Sequence, residues 1–182
     1  MKALILMVLA LSSTSVFALE NYTVRSQVKN LTGEELLVGV TANFIAKRNS
    51  IFCKNYSMPD GQGQSRPKTT QRVYFMKTTD RQMLIPMEFD FCRYVLTNVG
   101  VNLYQKAILT SLESSDRAEK MGDGVYEIKG SMNSIGVDSQ AGADLNTIKC
   151  QLSSKLSLKC DKANGEILDS EGVLNLSFEA TK

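Results

Sequence analysis

Residues 36–46, LLVGVTANFIA, carry an apolar side chain at every even-numbered position. The odd positions between them include Gly39, Thr41 and Asn43. Successive side chains of a β-strand point to opposite faces, so this alternation predicts a strand that buries one face and leaves much of the other polar. The stretch indicates a layered β fold with one face of this strand in the core.

Residues 82–91 repeat the alternation with five large apolar side chains. A helix would scatter these side chains around its circumference, so a strand is the better prediction. Pro86 has no backbone N–H to donate to a neighbouring strand, which favours an edge position or a bulge. The apolar positions of this segment are Met83, Ile85, Met87, Phe89 and Phe91.

Weaker alternation marks residues 22–29, 72–78, 94–104, 125–129, 146–152 and 173–179. Dipeptides that favour tight reversal, such as Thr32-Gly33 and Asp123-Gly124, stand between these segments. Several short strands with this punctuation predict an all-β chain, folded as an antiparallel β-sandwich. Its general shape is expected to be immunoglobulin-like or transthyretin-like.

The first 18 residues have the composition of a removable export signal. Met1-Lys2 is a short positive start, residues 3–11 are apolar, and Val16-Phe17-Ala18 offers a cleavage site. The apolar run is shorter than the roughly 20 residues that a membrane span needs. We therefore expect a chain that is exported to the periplasm or the medium and has no transmembrane segment after the signal is removed.

The mature chain is expected to hold one domain, with a possible appendage. We predict a β-sandwich core over residues 19–110 and a linker or short helix over residues 111–123. Residues 124–182 are expected to form C-terminal strands, which belong to the same domain or make a small β-hairpin subdomain.

Four cysteines allow three disulfide pairings. Cys150 and Cys160 fall opposite each other in a hairpin with a five-residue loop, so they are predicted to pair, which leaves Cys53 with Cys92. A four-thiolate zinc site is the alternative. Zinc sites usually use closely spaced cysteine pairs, whereas no two of these cysteines are nearer than ten positions. In an exported chain the spacing favours structural disulfides and no metal.

Residues 57–70 contain two prolines and two glycines and few large apolar side chains. They predict a long exposed loop, which is a common place for function. Tyr56 opens this segment, and Arg66 and Lys68 lie near its end. These three residues form the predicted contact surface.

The chain has no histidine, so Ser-His-Asp and Cys-His catalysis and histidine-ligated metals are excluded. It has 21 Lys and Arg against 19 Asp and Glu, without the basic stripe of a nucleic-acid binder. No cofactor is expected. The overall architecture resembles that of small exported envelope proteins of Gram-negative bacteria, and no functional residue is carried over from that resemblance.

These features predict a non-catalytic, exported, disulfide-bonded β-sandwich that acts as a binding or structural module with a protein or another envelope partner. Two alternatives stay open. Met83, Met87, Phe89 and Phe91 on one face would suit a small-molecule or lipid carrier with an apolar cavity. Glu88 and Asp90, paired at strand spacing, would suit a histidine-free carboxylate hydrolase.

Overall fold

A computed structural model describes residues 21–57, 64–129, 135–136, 147–153, 156–160 and 172–182. A 3₁₀ helix spans Ile51–Cys53, and one α-helix, α1, spans Ile108–Glu113. The strands are β1 (Asn21–Asn30), β2 (Leu36–Ala46), β3 (Lys54–Ser57), β4 (Gln64–Pro67), β5 (Thr69–Lys77), β6 (Gln82–Pro86), β7 (Glu88–Phe89), β8 (Tyr94–Gln105), β9 (Ala118–Gly122), β10 (Val125–Ile128), β11 (Ile135–Gly136), β12 (Ile148–Gln151), β13 (Lys159–Cys160) and β14 (Val173–Thr181).

The strands form two main sheets and one separate hairpin. The five-stranded sheet has the order β13-β12-β14-β1-β6. The seven-stranded sheet has the order β11-β8-β2-β5-β10-β9, with β7 also paired to β8. Strands β3 and β4 pair only with each other among the described strands. The predicted all-β, sandwich-like fold is therefore confirmed.

Strand β2 lies inside the seven-stranded sheet, between β5 and β8, and pairs antiparallel with both. Its bounds, Leu36–Ala46, coincide with the alternating stretch that predicted it. All of its even-numbered side chains are buried. One cluster of apolar side chains joins these positions to the inward residues of β1, β8 and β14, and it fills the space between the two sheets.

Two strand pairings in the five-stranded sheet are parallel. Strand β14 pairs in parallel with β1, where Val24 lies opposite Leu174, and with β12, where Ile148 lies opposite Phe178. Alternation of side chains is the same in parallel and antiparallel strands, so the sequence pattern did not reveal this direction. The consequence is that the last strand of the chain lies beside the first described one.

The segment predicted as one strand over residues 82–91 is divided between the two sheets. Strand β6 pairs with β1 at the edge of the five-stranded sheet, whereas β7 pairs with β8 of the other sheet. The break falls after Pro86, which cannot donate a ladder hydrogen bond. On the opposite edge, Leu158 N donates to Leu103 O (3.0 Å) and Gln105 N donates to Leu156 O (2.8 Å). Both edges of the five-stranded sheet therefore reach β8.

The outer face of the seven-stranded sheet carries a second apolar cluster. Leu37, Tyr104 and Ile108 are buried there, and Phe75 and Leu112 pack against them. Helix α1 covers this cluster. Residues 111–123, expected to be a linker or short helix, contain the end of α1 and the edge strand β9.

Within the described ranges, no helix combines the length and apolar character that crossing a bilayer requires. The predicted export signal, residues 1–18, lies outside the described residues.

Candidate binding surface

One end of the molecule collects the residues that the sequence singled out for contact. We call it the basic end and define it as residues 46–57, 64–69 and 87–93. It begins where β2 stops. Ala46 N donates to Lys68 O (2.8 Å), Lys47 N donates to Arg93 O (3.0 Å) and Arg48 N donates to Cys92 O (3.1 Å). Two later segments of the backbone, at Lys68 and at residues 92–93, therefore hold the chain in place where it leaves β2.

The Cys53–Cys92 disulfide clamps this end, with its Cα atoms 5.3 Å apart. The 3₁₀ helix brings Cys53 into position, and Ser50 caps that helix by accepting a hydrogen bond from Phe52 N (3.4 Å). Both sulfurs belong to a small buried cluster with Ala46 and the partly buried Tyr94. The predicted pairing is confirmed, as is the pairing of Cys150 with Cys160, which lie opposite each other in β12 and β13.

A tight turn presents Phe91 to solvent. Asp90 (φ 68°) and Arg93 (φ 53°) both adopt the left-handed backbone region, and Arg93 N donates to Asp90 O (3.0 Å). The Asp90 carboxylate also accepts a hydrogen bond from Phe91 N. The buried Cys92 therefore lies in a turn after β7, which explains why its position does not follow the inward parity of the preceding strand.

Three large apolar side chains protrude from this end. Ile51 is 66% exposed, Phe52 is 70% exposed and Phe91 is 55% exposed. Phe52 and Phe91 directly precede the two bridged cysteines, so their Cα atoms are at most about 13 Å apart by chain geometry. The guanidinium of Arg48 lies 3.9 Å from the centroid of the Phe91 ring, and its Nη1 donates to Phe91 O (3.2 Å).

Aromatic rings next to the turn of residues 90–93 connect it to the core. Phe89 stacks on Tyr94 with centroids 5.4 Å apart and meets Phe44 edge-on at 4.8 Å. Burial raises the pKa of the Tyr94 hydroxyl above its usual value, and the negative charge of Asp90 acts in the same direction. The base of the basic end is thus continuous with the core, while its tip is apolar and exposed.

The predicted loop over residues 57–70 is wrong for Ser57 and residues 64–70, most of which belong to strands, and residues 58–63 lie outside the described residues. Strands β3 and β4 form a hairpin in which Asn55 lies opposite Arg66 and Tyr56 opposite Ser65. Lys68 follows β4, and its backbone N–H donates to Cys53 O (3.0 Å). The hairpin is not hydrogen-bonded into either main sheet, and Asn55, Ser65, Arg66 and Pro67 are exposed, so these positions have no burial to impose an apolar alternation. The structure therefore places Tyr56 and Arg66 in this hairpin and Lys68 directly after it, where its backbone contacts Cys53 of the disulfide.

The basic end is strongly positive. Its described residues include two acids, Glu88 and Asp90, against six basic residues: Lys47, Arg48, Lys54, Arg66, Lys68 and Arg93. The whole chain has a net charge of only +2, so the rest of it carries more acids than bases. Within the described residues, Arg93 is the one member of the six that forms an ion pair with a carboxylate. Because the charges of the whole chain nearly cancel, its net charge did not indicate that basic residues are concentrated at this end.

The residues proposed for the two alternative functions, the carboxylate hydrolase and the carrier, lie as follows. Glu88 Oε1 accepts from Arg93 Nε at 2.7 Å, and Asp90 lies in the turn rather than on the strand, so the two acids do not form a pair on one strand face. Met83, Met87 and Phe89 pack against the core between the two sheets. They therefore lie on the inner face, which is where the carrier hypothesis requires them. Phe91, the fourth member of that set, is instead exposed.

The exposed apolar residues were not identified as contact residues from the sequence. Phe91 was assigned to the inward set of a strand, and Ile51 and Phe52 follow a strand without any periodic pattern. One signal was present, because both cysteines of the pair are preceded by phenylalanine. Two buried cysteines in tight turns leave their neighbours little room to turn inward as well.

Comparison with protein-family models, with curated proteins and with solved structures finds no significant match. The interpretation of the basic end therefore depends on its own geometry and charge.

Proposed function

We propose that the chain is an exported, disulfide-bonded, non-catalytic binding module and that the basic end is its contact surface. The observation that carries this proposal is the concentration of three exposed apolar side chains and several unneutralised cations on backbone clamped by the Cys53–Cys92 bridge. Clustered exposed apolar surface with a polar rim is typical of interaction sites. A clamped surface also loses little conformational entropy on binding.

Two observations support export. All four cysteines are oxidised, and disulfides persist mainly in oxidising compartments. The first 18 residues have the composition of a cleavable signal. Cell fractionation followed by N-terminal sequencing tests this part of the proposal: we expect a mature chain that starts at Leu19 outside the cytoplasm. A full-length cytoplasmic chain with four reactive thiols would contradict it.

The absence of catalysis is supported by the residues available. The sequence has no histidine, and Glu88, one of the two candidate carboxylates, is engaged by Arg93. A screen against glycosidic and peptide substrates, with Glu88→Gln as the matched variant, tests this part. Turnover that the Glu88→Gln variant loses would overturn it.

The contact surface is tested with the triple variant Tyr56→Ala/Arg66→Ala/Lys68→Ala. We expect it to lose binding to the cell-envelope fraction of the source organism while its melting temperature stays within a few degrees of the unmodified protein, because the hairpin is outside both sheets. The control is Lys77→Ala/Arg81→Ala, which removes two exposed cations, one at the other end of β5 and one just beyond it. Equal, saturable binding by the triple variant would refute the assignment of this surface.

A further inference from the structure

The apolar tip of the basic end consists of three solvent-exposed side chains carried by two separate turns. Ile51 and Phe52 project from a 3₁₀ turn and Phe91 projects from a separate β-turn. A protein partner would need a cleft matched to two separate protrusions, whereas the disordered headgroup and acyl boundary of a bilayer accommodates protruding side chains of any arrangement. Aromatic and aliphatic side chains that insert there are typical of peripheral membrane binding.

Cations surround this tip. Lys47, Arg48 and Arg66 are exposed, and Lys54 and Lys68 are partly buried at its base. Long basic side chains can keep their charged groups at the level of lipid phosphates while neighbouring apolar groups enter the interface. The charge of this end is thus complementary to a membrane that contains anionic lipids, and attraction to such a surface adds to apolar insertion.

The backbone that presents these side chains is already ordered. Two hydrogen bonds just after β2, from Lys47 N and Arg48 N to the turn of residues 90–93, and the Cys53–Cys92 bridge hold the two turns relative to each other. Arg48 contacts both the ring and the carbonyl oxygen of Phe91, which holds a cation next to an exposed aromatic ring.

We propose that the basic end is a membrane-surface anchor, which inserts Ile51, Phe52 and Phe91 into the interface of an anionic phospholipid bilayer while the surrounding Lys and Arg side chains bind lipid phosphates. This inference rests on the proposed function, since it names the partner of the same contact surface. The rest of the sandwich remains outside the bilayer.

The first experiment uses a tryptophan reporter. The chain contains no tryptophan, so Phe52→Trp creates a single fluorophore at a side chain that is 70% exposed. The matched control is Leu31→Trp, because Leu31 is 54% exposed and lies just before β2 begins, whereas the basic end starts where β2 ends. Ten residues of strand separate those two ends by about 33 Å.

Both variants are mixed with vesicles of phosphatidylcholine alone and with vesicles that also contain phosphatidylglycerol. We expect Phe52→Trp to shift its emission to the blue, and to be quenched by brominated acyl chains, only with phosphatidylglycerol present. Leu31→Trp should show neither change. A blue shift of equal size in both variants, or no shift in either, would overturn the proposal.

The second experiment tests the charge and apolar contributions in the Phe52→Trp background. Lys47→Gln/Arg66→Gln should lower vesicle affinity about 25-fold, at about fivefold for each cation near an anionic surface. Lys77→Gln/Arg81→Gln should change it less than twofold. Phe91→Ser should lower affinity at high salt, where electrostatic attraction is screened. Affinity that is indifferent to Lys47→Gln/Arg66→Gln would contradict the anchor.

Heparin and polyglutamate serve as lipid-free anionic probes. The membrane assignment would be overturned if the protein bound either probe more strongly than phosphatidylglycerol vesicles and lost that binding on substitution of Arg66. The basic end would then be a contact surface for an acidic macromolecule. Failure of the proposed function has a different outcome, since the triple variant at Tyr56, Arg66 and Lys68 would then bind the envelope fraction as well as the unmodified protein.

Discussion

The Tyr104 ring packs closely against Gly39 on the outer face of the seven-stranded sheet. A methyl group added at position 39 would be 2.5 Å from Tyr104 Cε2 and 3.0 Å from Phe75 Cε1. The two rings also contact each other edge-on, with centroids 5.6 Å apart. The glycine in the middle of β2 is therefore explained by the close approach of an aromatic ring from a neighbouring strand.

Replacing Gly39 with alanine should destabilise the protein, even though alanine is otherwise the better residue inside a strand. The methyl group would force Tyr104 and Phe75 from their positions, and overpacking of this kind costs about 1–3 kcal/mol. Urea denaturation of the oxidised protein measures the effect. Gly122→Ala is the control, because a methyl group there would contact nothing within 4 Å. Equal stability of the two variants would contradict the account of Gly39.

Stability should fall at alkaline pH because of Tyr104. Burial raises the pKa of its hydroxyl to about 12, whereas an unfolded tyrosine ionises near 10. The proton is thus held more tightly in the folded state, so the contribution of Tyr104 is intact below about pH 10 and is lost as the pH rises from about 10 to 12. The loss from this residue at the upper limit is about 2–3 kcal/mol.

Urea midpoints measured across this pH range, together with the ultraviolet absorbance of tyrosinate, test the prediction. The pKa values of Tyr74 and Tyr126 are raised by burial as well, so the unmodified protein should lose stability in more than one step. Tyr104→Phe should have a shallower alkaline loss. Parallel pH profiles of the two proteins would show that Tyr104 is not responsible.

The parts of the fold that were predicted from sequence are strands whose apolar side chains recur at every second position. Strand β2 was predicted to the residue because all of its even-numbered side chains are apolar and buried. The prediction that only one face of this strand lies in a core is wrong, since Leu37, Gly39 and Thr41 are buried as well and Leu37 belongs to the second apolar cluster on the outer face. Residues 82–91 kept the same alternation across a break between sheets, since both β6 and β7 direct apolar residues into the same core. Periodicity reports burial, and it does not report which sheet a strand joins.

The apolar tip of the basic end was not predicted from the sequence, for a related reason. The β3–β4 hairpin pairs with neither main sheet and its sequence has no apolar alternation, and Ile51 and Phe52 lie in a 3₁₀ turn. The basic end also combines three segments that are separate in the sequence and that come together through strand pairing, the Cys53–Cys92 bridge and hydrogen bonds between backbone groups distant in the sequence. The prediction of Tyr56, Arg66 and Lys68 as a contact surface depends on their place at the two ends of a predicted exposed loop, and that pattern carries no information about Ile51, Phe52 and Phe91.

The two disulfides should differ in their effect on stability and on binding. Cys53 and Cys92 close a loop of 39 residues, whereas Cys150 and Cys160 close a loop of 10. Loop-closure entropy then assigns about 4 kcal/mol to the first bridge and about 3 kcal/mol to the second. Replacing each pair with alanine and measuring urea denaturation tests the order.

Binding separates the two pairs more sharply than stability does. Cys53→Ala/Cys92→Ala should lose envelope and vesicle binding at temperatures where it remains folded, because the two turns at the basic end are no longer joined. Cys150→Ala/Cys160→Ala should keep that binding, since its bridge joins β12 to β13 in the five-stranded sheet. Equal binding losses in the two folded variants would argue against a role for the clamp.

Arg72 and Glu127 form an ion pair in which one partner is much more buried than the other. Arg72 Nε lies 3.2 Å from Glu127 Oε2, and the two side chains are 16% and 36% exposed. The guanidinium of Arg72 also lies 3.7 Å from the centroid of the Phe89 ring. Removing Glu127 leaves a mostly buried cation without its carboxylate, whereas removing Arg72 leaves an acid that water can reach.

We therefore expect Glu127→Ala to destabilise the protein by about 1–3 kcal/mol and Arg72→Met by less than about 1 kcal/mol, since methionine preserves apolar contact with Phe89. The double variant should be more stable than Glu127→Ala alone, because it no longer buries an unpaired charge. Urea denaturation of the four proteins in a double-mutant cycle measures these differences. The exposed pair between Lys106 and Glu35, with atoms 2.8 Å apart, serves as the control and should contribute less than about 0.5 kcal/mol. A larger loss from Arg72→Met than from Glu127→Ala would mean that contacts of the arginine with the core, and not its buried charge, determine the energetics of this pair.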